Sequence, residues 1–129
     1  MIVDSSAWIA YARDSDHTSA LAQRVEDALR DGVAALTDPV AMEVLAGARD
    51  DAHLRRLQAL LALPTFHAVD QDHWAVAAAL YRTCRKKGET VPKMVDCLIA
   101  AVAIDADLPI LHADRDFEVL VRHTPLRLA

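Results

Sequence analysis

Short apolar runs alternate with longer amphipathic stretches along the whole chain, and this alternation most constrains the fold. The stretches repeat their apolar residues at helical spacing, as Leu21, Val25 and Leu29 do. Strands that alternate with helices are typical of a parallel sheet covered by helices. We therefore predict a single three-layer α/β/α domain over residues 1–129 with a short parallel central sheet. The predicted strands are 2–3, 33–36, 66–69, 110–111 and a last edge strand at 125–129.

Cap and turn signals divide the amphipathic stretches into separate helices. Thr37 or Asp38 is a candidate N-cap, Pro39 suits a first helical turn, and Gly47 is a plausible stop. The predicted helices cover about 5–12, 17–30, 38–47, 51–63, 71–87, 95–107 and 115–123.

The composition excludes some classes of protein. A formal charge of −5 argues against nucleic-acid binding by bulk electrostatics, although a local basic patch remains compatible with it. Cys84 and Cys97 form no CxxC pair, so we expect buried free thiols in a reducing compartment. We predict neither a signal peptide nor a membrane-spanning segment, and we expect a cytoplasmic protein.

Acidic residues follow two of the predicted strands. Asp4 closes the first strand, while Asp114 and Asp116 follow the strand at 110–111. Functional groups gather at the carboxyl edge of open parallel sheets. If these two strands are neighbours, their acids converge. Each acid has a plainer interpretation as a residue that caps the helix after it.

Two further acids lie beside apolar helix faces. Asp96 begins a helix in which it shares a face with Ile99 and Ala103, and Glu43 adjoins the apolar stripe of its own helix. Alternatively, Asp96 serves only as a favourable negative charge at its helix N-terminus, and Glu43 is a half-exposed surface residue. Unpaired buried carboxylates are costly and repel one another. A divalent ion would relieve this cost, and oxygen ligands favour Mg²⁺ or Mn²⁺, which promote attack of water on a phosphodiester.

Four segments, in this order, resemble the PIN-domain ribonucleases and, within them, the VapC toxins of bacterial toxin–antitoxin pairs. The segments are MIVDSSAWIAY, PVAMEVLAG, VDCLIAAVA and ILHADRDFEVL, and the resemblance covers the whole chain. It implies a metal-dependent endoribonuclease that cleaves RNA, often tRNA or ribosomal RNA, and so inhibits translation and growth.

The resemblance also implies roles for individual residues. Asp4 and Asp96 would be the principal ligands of Mg²⁺ or Mn²⁺, and Glu43 and Asp114 would complete the site directly or through water. The supporting residues would be Asp116 and Ser6, whose hydroxyl can bond a carboxylate. His112 is given no catalytic role.

The resemblance further implies protein partners. A VapB-type antitoxin would inhibit the chain by placing a basic side chain in the acidic site, and the toxin would form a homodimer and a larger toxin–antitoxin complex. Trp8, Ile9 and Tyr11 are candidate interface residues, and both Trp8 and Trp74 are interpreted as core or interface residues. The remaining histidines, including His73, are interpreted as surface residues.

One dense basic stretch precedes the Asp96 helix, and we name it the basic stretch: Arg82, Arg85, Lys86, Lys87 and Lys93. Its members, together with Arg115, are candidate contacts for RNA phosphates. The stretch could equally be a solvated helix end whose cations interact favourably with the helix dipole. Arg115 could instead form a salt bridge to the neighbouring acids.

Other protein classes fit less well. A phosphatase of the haloacid dehalogenase type needs a second aspartate where Ser6 stands, and a receiver domain needs an acidic pair after the first strand. The alternatives kept open are a PIN nuclease of RNA processing that is not a toxin, and a metal-binding interaction module without catalysis.

Overall fold

The fold is organised around a parallel sheet in the order β3-β2-β1-β4. Its strands are β1 (Ile2–Val3), β2 (Ala35–Thr37), β3 (Thr65–His67) and β4 (Ile110–Leu111). The computed structural model describes residues 1–113 and 115–129. Every neighbouring pair of strands is parallel, and β1 lies between β2 and β4. The predicted parallel sheet and the predicted neighbourhood of the first and 110–111 strands are confirmed.

Helices flank this sheet and complete the predicted three-layer α/β/α architecture. Within the described residues, the helices are α1 (Ser5–Arg13), α2 (Ala20–Arg30), α3 (Asp38–Ala46), α4 (Asp51–Leu61), α5 (Gln71–Lys86), α6 (Met94–Asp105) and α7 (Asp116–His123). In the same part of the chain, no helix combines the length and the hydropathy needed to cross a bilayer.

The short central strand delivers its acid directly to the edge of the sheet. Ile2 and Val3 are fully buried, and Ile2 is in register with Ala35 on one side and Ile110 on the other. The Asp4 backbone N–H donates to the Leu111 carbonyl at 2.9 Å, so pairing continues past the strand. α1 begins at the next residue, which leaves Asp4 where the strand meets the helix.

Helix α5 buries a face that contains a histidine and leaves a tryptophan exposed. His73, interpreted from the sequence as a surface residue, is buried in α5 together with Ala77, Leu80 and Cys84. Trp74 is 63% exposed, which excludes the core interpretation, and its interpretation as an interface residue stays a prediction. The polar ring of His73 can be buried because both of its ring nitrogens have hydrogen-bond partners.

Trp8 and the chain terminus also correct predictions. Trp8 is fully buried in the core, which confirms the core interpretation and removes it from any free interface. The predicted edge strand at 125–129 is a single bridge between Ile110 and Leu128, because β4 has only two residues to pair with. Cys84 and Cys97 are buried free thiols as predicted, and burial raises the pKa of Cys97 to about 11.

Candidate active site

Asp4 is a buried carboxylate held by Ser6. Only 4% of Asp4 is exposed. Its Oδ2 accepts the Ser6 hydroxyl at 2.7 Å and the Ser6 backbone N–H at 3.2 Å, which makes Asp4 the N-cap of α1. The Ser6 Oγ in turn accepts the Ala113 N–H at 3.0 Å. Asp4 therefore has the predicted capping role, and its carboxylate is oriented at the edge of the sheet.

Glu43 reaches the same region from α3. The Ser5 hydroxyl donates to Glu43 Oε2 at 3.3 Å, and the other oxygen, Oε1, is buried without a hydrogen-bond partner among the described residues. Burial and repulsion from Asp4 raise the pKa of Glu43, while the Ser5 hydrogen bond and the charge of Lys93 oppose the rise. The unpartnered oxygen leaves a donor atom available for a cation.

Asp96 is the most strongly perturbed carboxyl of the group. It lies in the first turn of α6, and 5% of it is exposed. Burial raises its pKa to about 7, and repulsion from Asp4, Asp116 and Glu43 adds to the effect. A carboxyl crowded by other carboxyls is a frequent mark of a functional site.

Asp116 approaches from the start of α7. Its Oδ2 lies 3.6 Å from the Lys93 Nζ, and 19% of its side chain is exposed. Because the charges of Asp4, Glu43 and Asp116 all raise the pKa of Asp96, these four carboxyl groups lie in one electrostatic neighbourhood, which we name the acid cluster. The predicted fourth acid, Asp114, lies outside the described residues.

Other predicted residues surround the acid cluster less closely. The His112 ring packs edge-on against Phe117 at 5.4 Å, and its Nδ1 is buried without a hydrogen-bond partner in the described part of the chain. Arg115 is exposed at the N-cap of α7. The proposed role of Arg115 as an RNA contact stays a prediction.

The basic stretch divides into two parts in the structure. Its first members occupy the end of α5, where the Arg85 guanidinium lies 5.7 Å from the centre of the Tyr81 ring. Lys93 is separate, at the N-cap of α6 beside the acid cluster. Glu89, the acid in this region, pairs with Arg122 and His123 of α7, and these partners lower its pKa to about 2. It therefore fastens the α5–α6 connection to α7.

A second group of potential metal ligands escaped the sequence interpretation. Ligand atoms of Asp70, His73 and Asp105 lie within 4.8 Å of one another. However, His73 Nδ1 accepts the Asp70 N–H at 2.9 Å, which leaves the proton on Nε2, 3.0 Å from Asp105. His73 and Asp70 form a capping box, and the spacing of Asp70 and His73 is the sequence signal for it. The ring nitrogens are thus already used within the protein, and this group is a weaker metal site than the acid cluster.

A largely apolar groove adjoins the acid cluster, with a volume of about 780 Å³. We name it the α3–α5–α6 groove. Met42, Trp74 and Met94 line it and are 61%, 63% and 62% exposed. Met42 precedes Glu43, and Met94 stands two residues before Asp96, so the groove and the cluster share their helices. No pattern in the sequence predicts this groove, because the exposure of these side chains depends on how α3, α5 and α6 pack.

Comparison with known proteins identifies the family of the chain. The family model of the PIN domain matches residues 1–122. Two curated relatives, ribonuclease VapC11 of Mycobacterium tuberculosis and VapC ribonuclease Mb1587 of Mycobacterium bovis, are each 40% identical over 133 residues. Those alignments cover 100% of this chain and 97% of each relative.

Solved structures share the fold. The VapBC2 complex of Rickettsia felis, bound to a DNA fragment from its promoter, contains a chain that matches with a TM-score of 0.79 at 17% identity, covering 99% of this chain and 96% of that one. A toxin–antitoxin complex of Klebsiella pneumoniae matches with a TM-score of 0.72 at 20% identity, covering 90% and 88%. On the family match and the full-length identity to its relatives, the chain belongs to the PIN-domain family and, within it, to the VapC ribonucleases.

Proposed function

We propose that this ribonuclease is a toxin that cleaves RNA internally with the help of a divalent cation, Mg²⁺ or Mn²⁺, bound at the acid cluster. The observation that carries the proposal is the convergence of Asp4, Glu43 and Asp96 at the carboxyl edge of the sheet, with raised pKa values for two of them. By resemblance, the target is tRNA or ribosomal RNA, and its cleavage inhibits translation and growth.

The donor atoms suit such an ion. The acid cluster offers carboxylate oxygens, and Mg²⁺ and Mn²⁺ prefer oxygen ligands. Glu43 Oε1 is buried without a hydrogen-bond partner in the described chain, and Asp96 is crowded by like charges. Both features cost free energy that a cation would recover. Asp4 and Asp96 would hold the ion, with Glu43 and Asp114 contributing directly or through water.

The residues around the ion would each do a separate task. Ser6 orients the Asp4 carboxylate through its hydroxyl, and Ser5 holds one oxygen of Glu43. The burial of Asp4 and Asp96 limits access of bulk water and strengthens their electrostatic interactions. When bound, a divalent cation activates water and stabilises charge on the phosphate. Glu43 on α3 and Asp116 on α7 would add negative charge beside the ion.

RNA contacts would come from the two sides of the site. Arg82, Arg85, Lys86 and Lys87 lie at the exposed end of α5, and Arg115 is exposed beside Asp116. Phosphate contacts of this kind position the chain on RNA without reading its sequence. We propose them as substrate contacts that compensate locally for the net charge of −5.

We also propose two protein partners. One is a VapB-type antitoxin that inhibits the site with a basic side chain. The other is a second copy of the chain, which covers the α3–α5–α6 groove. The exposed apolar side chains of Met42, Trp74 and Met94 line the groove, and the Asp38 carboxylate in its lining accepts the Val69 N–H at 2.7 Å. Contact between these apolar side chains would favour association of two copies.

Cleavage of purified RNA, with and without metal, tests the proposed function. We expect cleavage with Mg²⁺ or Mn²⁺ and none with EDTA. Asp96→Asn should lower the rate more than about a hundredfold, the scale on which electrostatic groups of an active site act. Asp105→Asn, on the same helix but in the other acidic group, is the matched control and should retain cleavage. Cleavage in EDTA would overturn the metal dependence, and metal binding without cleavage would favour a non-catalytic module.

A further inference from the structure

Lys93 stands out because its ammonium lies against the acid cluster. The Nζ is 3.6 Å from Asp116 Oδ2, and its charge lowers the pKa values of Glu43 and Asp96 against the other effects that raise them. The carboxylates that a metal ion would stabilise are thus already stabilised in part by the ammonium group of Lys93.

The fold fixes the backbone of Lys93, whereas its side chain is partly exposed beside the acid cluster. Lys93 is the N-cap residue of α6, and its carbonyl accepts the Asp96 N–H at 3.1 Å. Val91, two residues earlier, is buried in the core. Glu89, four residues earlier, is paired with Arg122 and His123. About half of the Lys93 side chain, 53%, is nevertheless exposed. A flexible four-carbon stem on a fixed backbone can release its partner without refolding the loop.

The other cations of the basic stretch have different surroundings. Arg85 lies over the Tyr81 ring. Lys86 and Lys87 are exposed at the C-terminal end of α5, where positive charge interacts favourably with the helix dipole. Lys93 instead stands at a helix N-terminus, where positive charge is unfavourable. Its location is therefore explained by the carboxylates opposite it and not by its own helix.

We propose that Lys93 is the built-in counter-ion of the metal-free site: a positioning residue that holds the acid cluster together and is exchanged for a divalent cation when one binds. This inference rests on the proposed function, because it concerns how the same site is loaded. The exchange costs the ion part of its affinity, since the ammonium must be displaced or tolerated nearby. Lys93 would thereby set the metal concentration at which the ribonuclease becomes active.

Calorimetric titration of Mn²⁺ into the purified full-length chain tests this exchange. Lys93→Gln should bind Mn²⁺ about tenfold more tightly, the effect of removing one charge some 6 Å from a divalent ion in a water-like dielectric. Lys93→Arg keeps the charge and should bind as the unmodified chain does. Lys86→Gln removes a lysine of the same basic stretch away from the cluster and should also leave the affinity unchanged.

Thermal unfolding in EDTA provides a second readout. Lys93→Gln should unfold at a lower temperature than the unmodified chain at pH 8, because the carboxylates lose their counter-ion, and excess Mn²⁺ should restore it. An affinity that is unchanged or weaker in Lys93→Gln would overturn the inference, as would equal tightening in Lys86→Gln, which would indicate a bulk charge effect. A lack of Mn²⁺ binding by the unmodified chain would instead overturn the proposed metal dependence on which the inference rests.

Discussion

The Ser6 hydroxyl donates to the Asp4 carboxylate at 2.7 Å while it accepts the backbone N–H of Ala113 at 3.0 Å. One side chain therefore connects the acid at the end of β1 with the segment that follows β4. These two segments are 107 residues apart in sequence, and each carries part of the proposed site. Ser6 orients Asp4 and also fixes the distance between the two segments.

Removal of this hydroxyl should affect catalysis more than folding. In Ser6→Ala, the backbone N–H of residue 6 is the remaining hydrogen-bond donor to the Asp4 carboxylate among the described residues, so the carboxylate can rotate. We expect kcat to fall by about 10- to 100-fold, the usual cost of losing a group that orients a metal ligand. Steady-state cleavage of an RNA oligonucleotide at saturating Mn²⁺ measures this effect.

Ser19→Ala is the matched control, because Ser19 is the N-cap of α2 and accepts the Ala22 N–H. It should lower the free energy of unfolding by about 1 kcal/mol and leave kcat unchanged. Ser6→Thr keeps the hydroxyl and should restore most of the lost rate. If Ser6→Ala cleaves at the normal rate, Ser6 has no positioning role.

The metal-free protein should lose stability as the pH rises. The pKa of Asp96 is raised to about 7 in the folded state from an ordinary value of 3.8, so the unfolded chain loses this proton first. Stability therefore falls between about pH 4 and pH 7, by up to about 1.4 kcal/mol per pH unit, and levels off above that range. Asp96→Asn should remove most of this dependence, because Glu43, whose pKa is also raised, still contributes, and it should be more stable than the unmodified chain at pH 8 in EDTA.

Chemical denaturation in EDTA from pH 4 to pH 8 checks this behaviour. Excess Mn²⁺ should remove the advantage of Asp96→Asn at pH 8, because the ion compensates the carboxylate charges. Asp51→Asn changes one exposed aspartate at the start of α4 and should give no gain. An Asp96→Asn chain that is no more stable than the unmodified one at pH 8 would show that Asp96 is not destabilising in the metal-free state.

Glu89 should hold the α5–α6 connection in a pH-dependent way. Arg122 and His123 lower its pKa to about 2, so its contribution to stability is present above about pH 4.5 and is lost as the pH falls toward 2. Glu89→Gln should lower the melting temperature at pH 7, and the difference should shrink at pH 3. Because these ion pairs are exposed, 1 M salt should reduce it too. An equal loss at both pH values would contradict the ionic origin.

The order of strands and acids along the sequence predicts the edge of the sheet at which the acid cluster lies. The acids Asp4 and Asp116 follow predicted strands, and the neighbourhood of β1 and β4 brings those strands together as expected. Glu43 and Asp96 were singled out because a carboxylate beside an apolar face is costly, and their pKa values are indeed raised. Local patterns were sufficient here because each acid is placed by its own strand or helix.

Contacts between distant side chains were not predictable in this way. The Lys93–Asp116 pair and the Glu89–Arg122 pair join segments whose relative position depends on the packing of α5, α6 and α7. The surface interpretation of His73 is wrong, because a buried histidine is recognisable only when partners for both of its nitrogens are known. Periodicity shows that a helix has an apolar face, but it does not show which neighbour covers that face.

The exposed face of α5 leads to a last prediction, on assembly. Trp74, Met42 and Met94 surround the α3–α5–α6 groove, and a two-fold dimer would bury the same patch on both copies. Since large aromatic side chains dominate such interfaces, Trp74→Ala should weaken the dimer by at least about 30-fold.

Sedimentation equilibrium over a dilution series measures this dissociation constant. Leu128→Ala, at the opposite edge of the sheet beside β4, removes a partly exposed apolar side chain and should leave the constant unchanged. Trp74→Ala should keep the normal melting temperature as a monomer, because its side chain contributes little to the core. A chain that sediments as a monomer at every concentration, or a dimer indifferent to Trp74→Ala, would exclude the groove as the surface between copies.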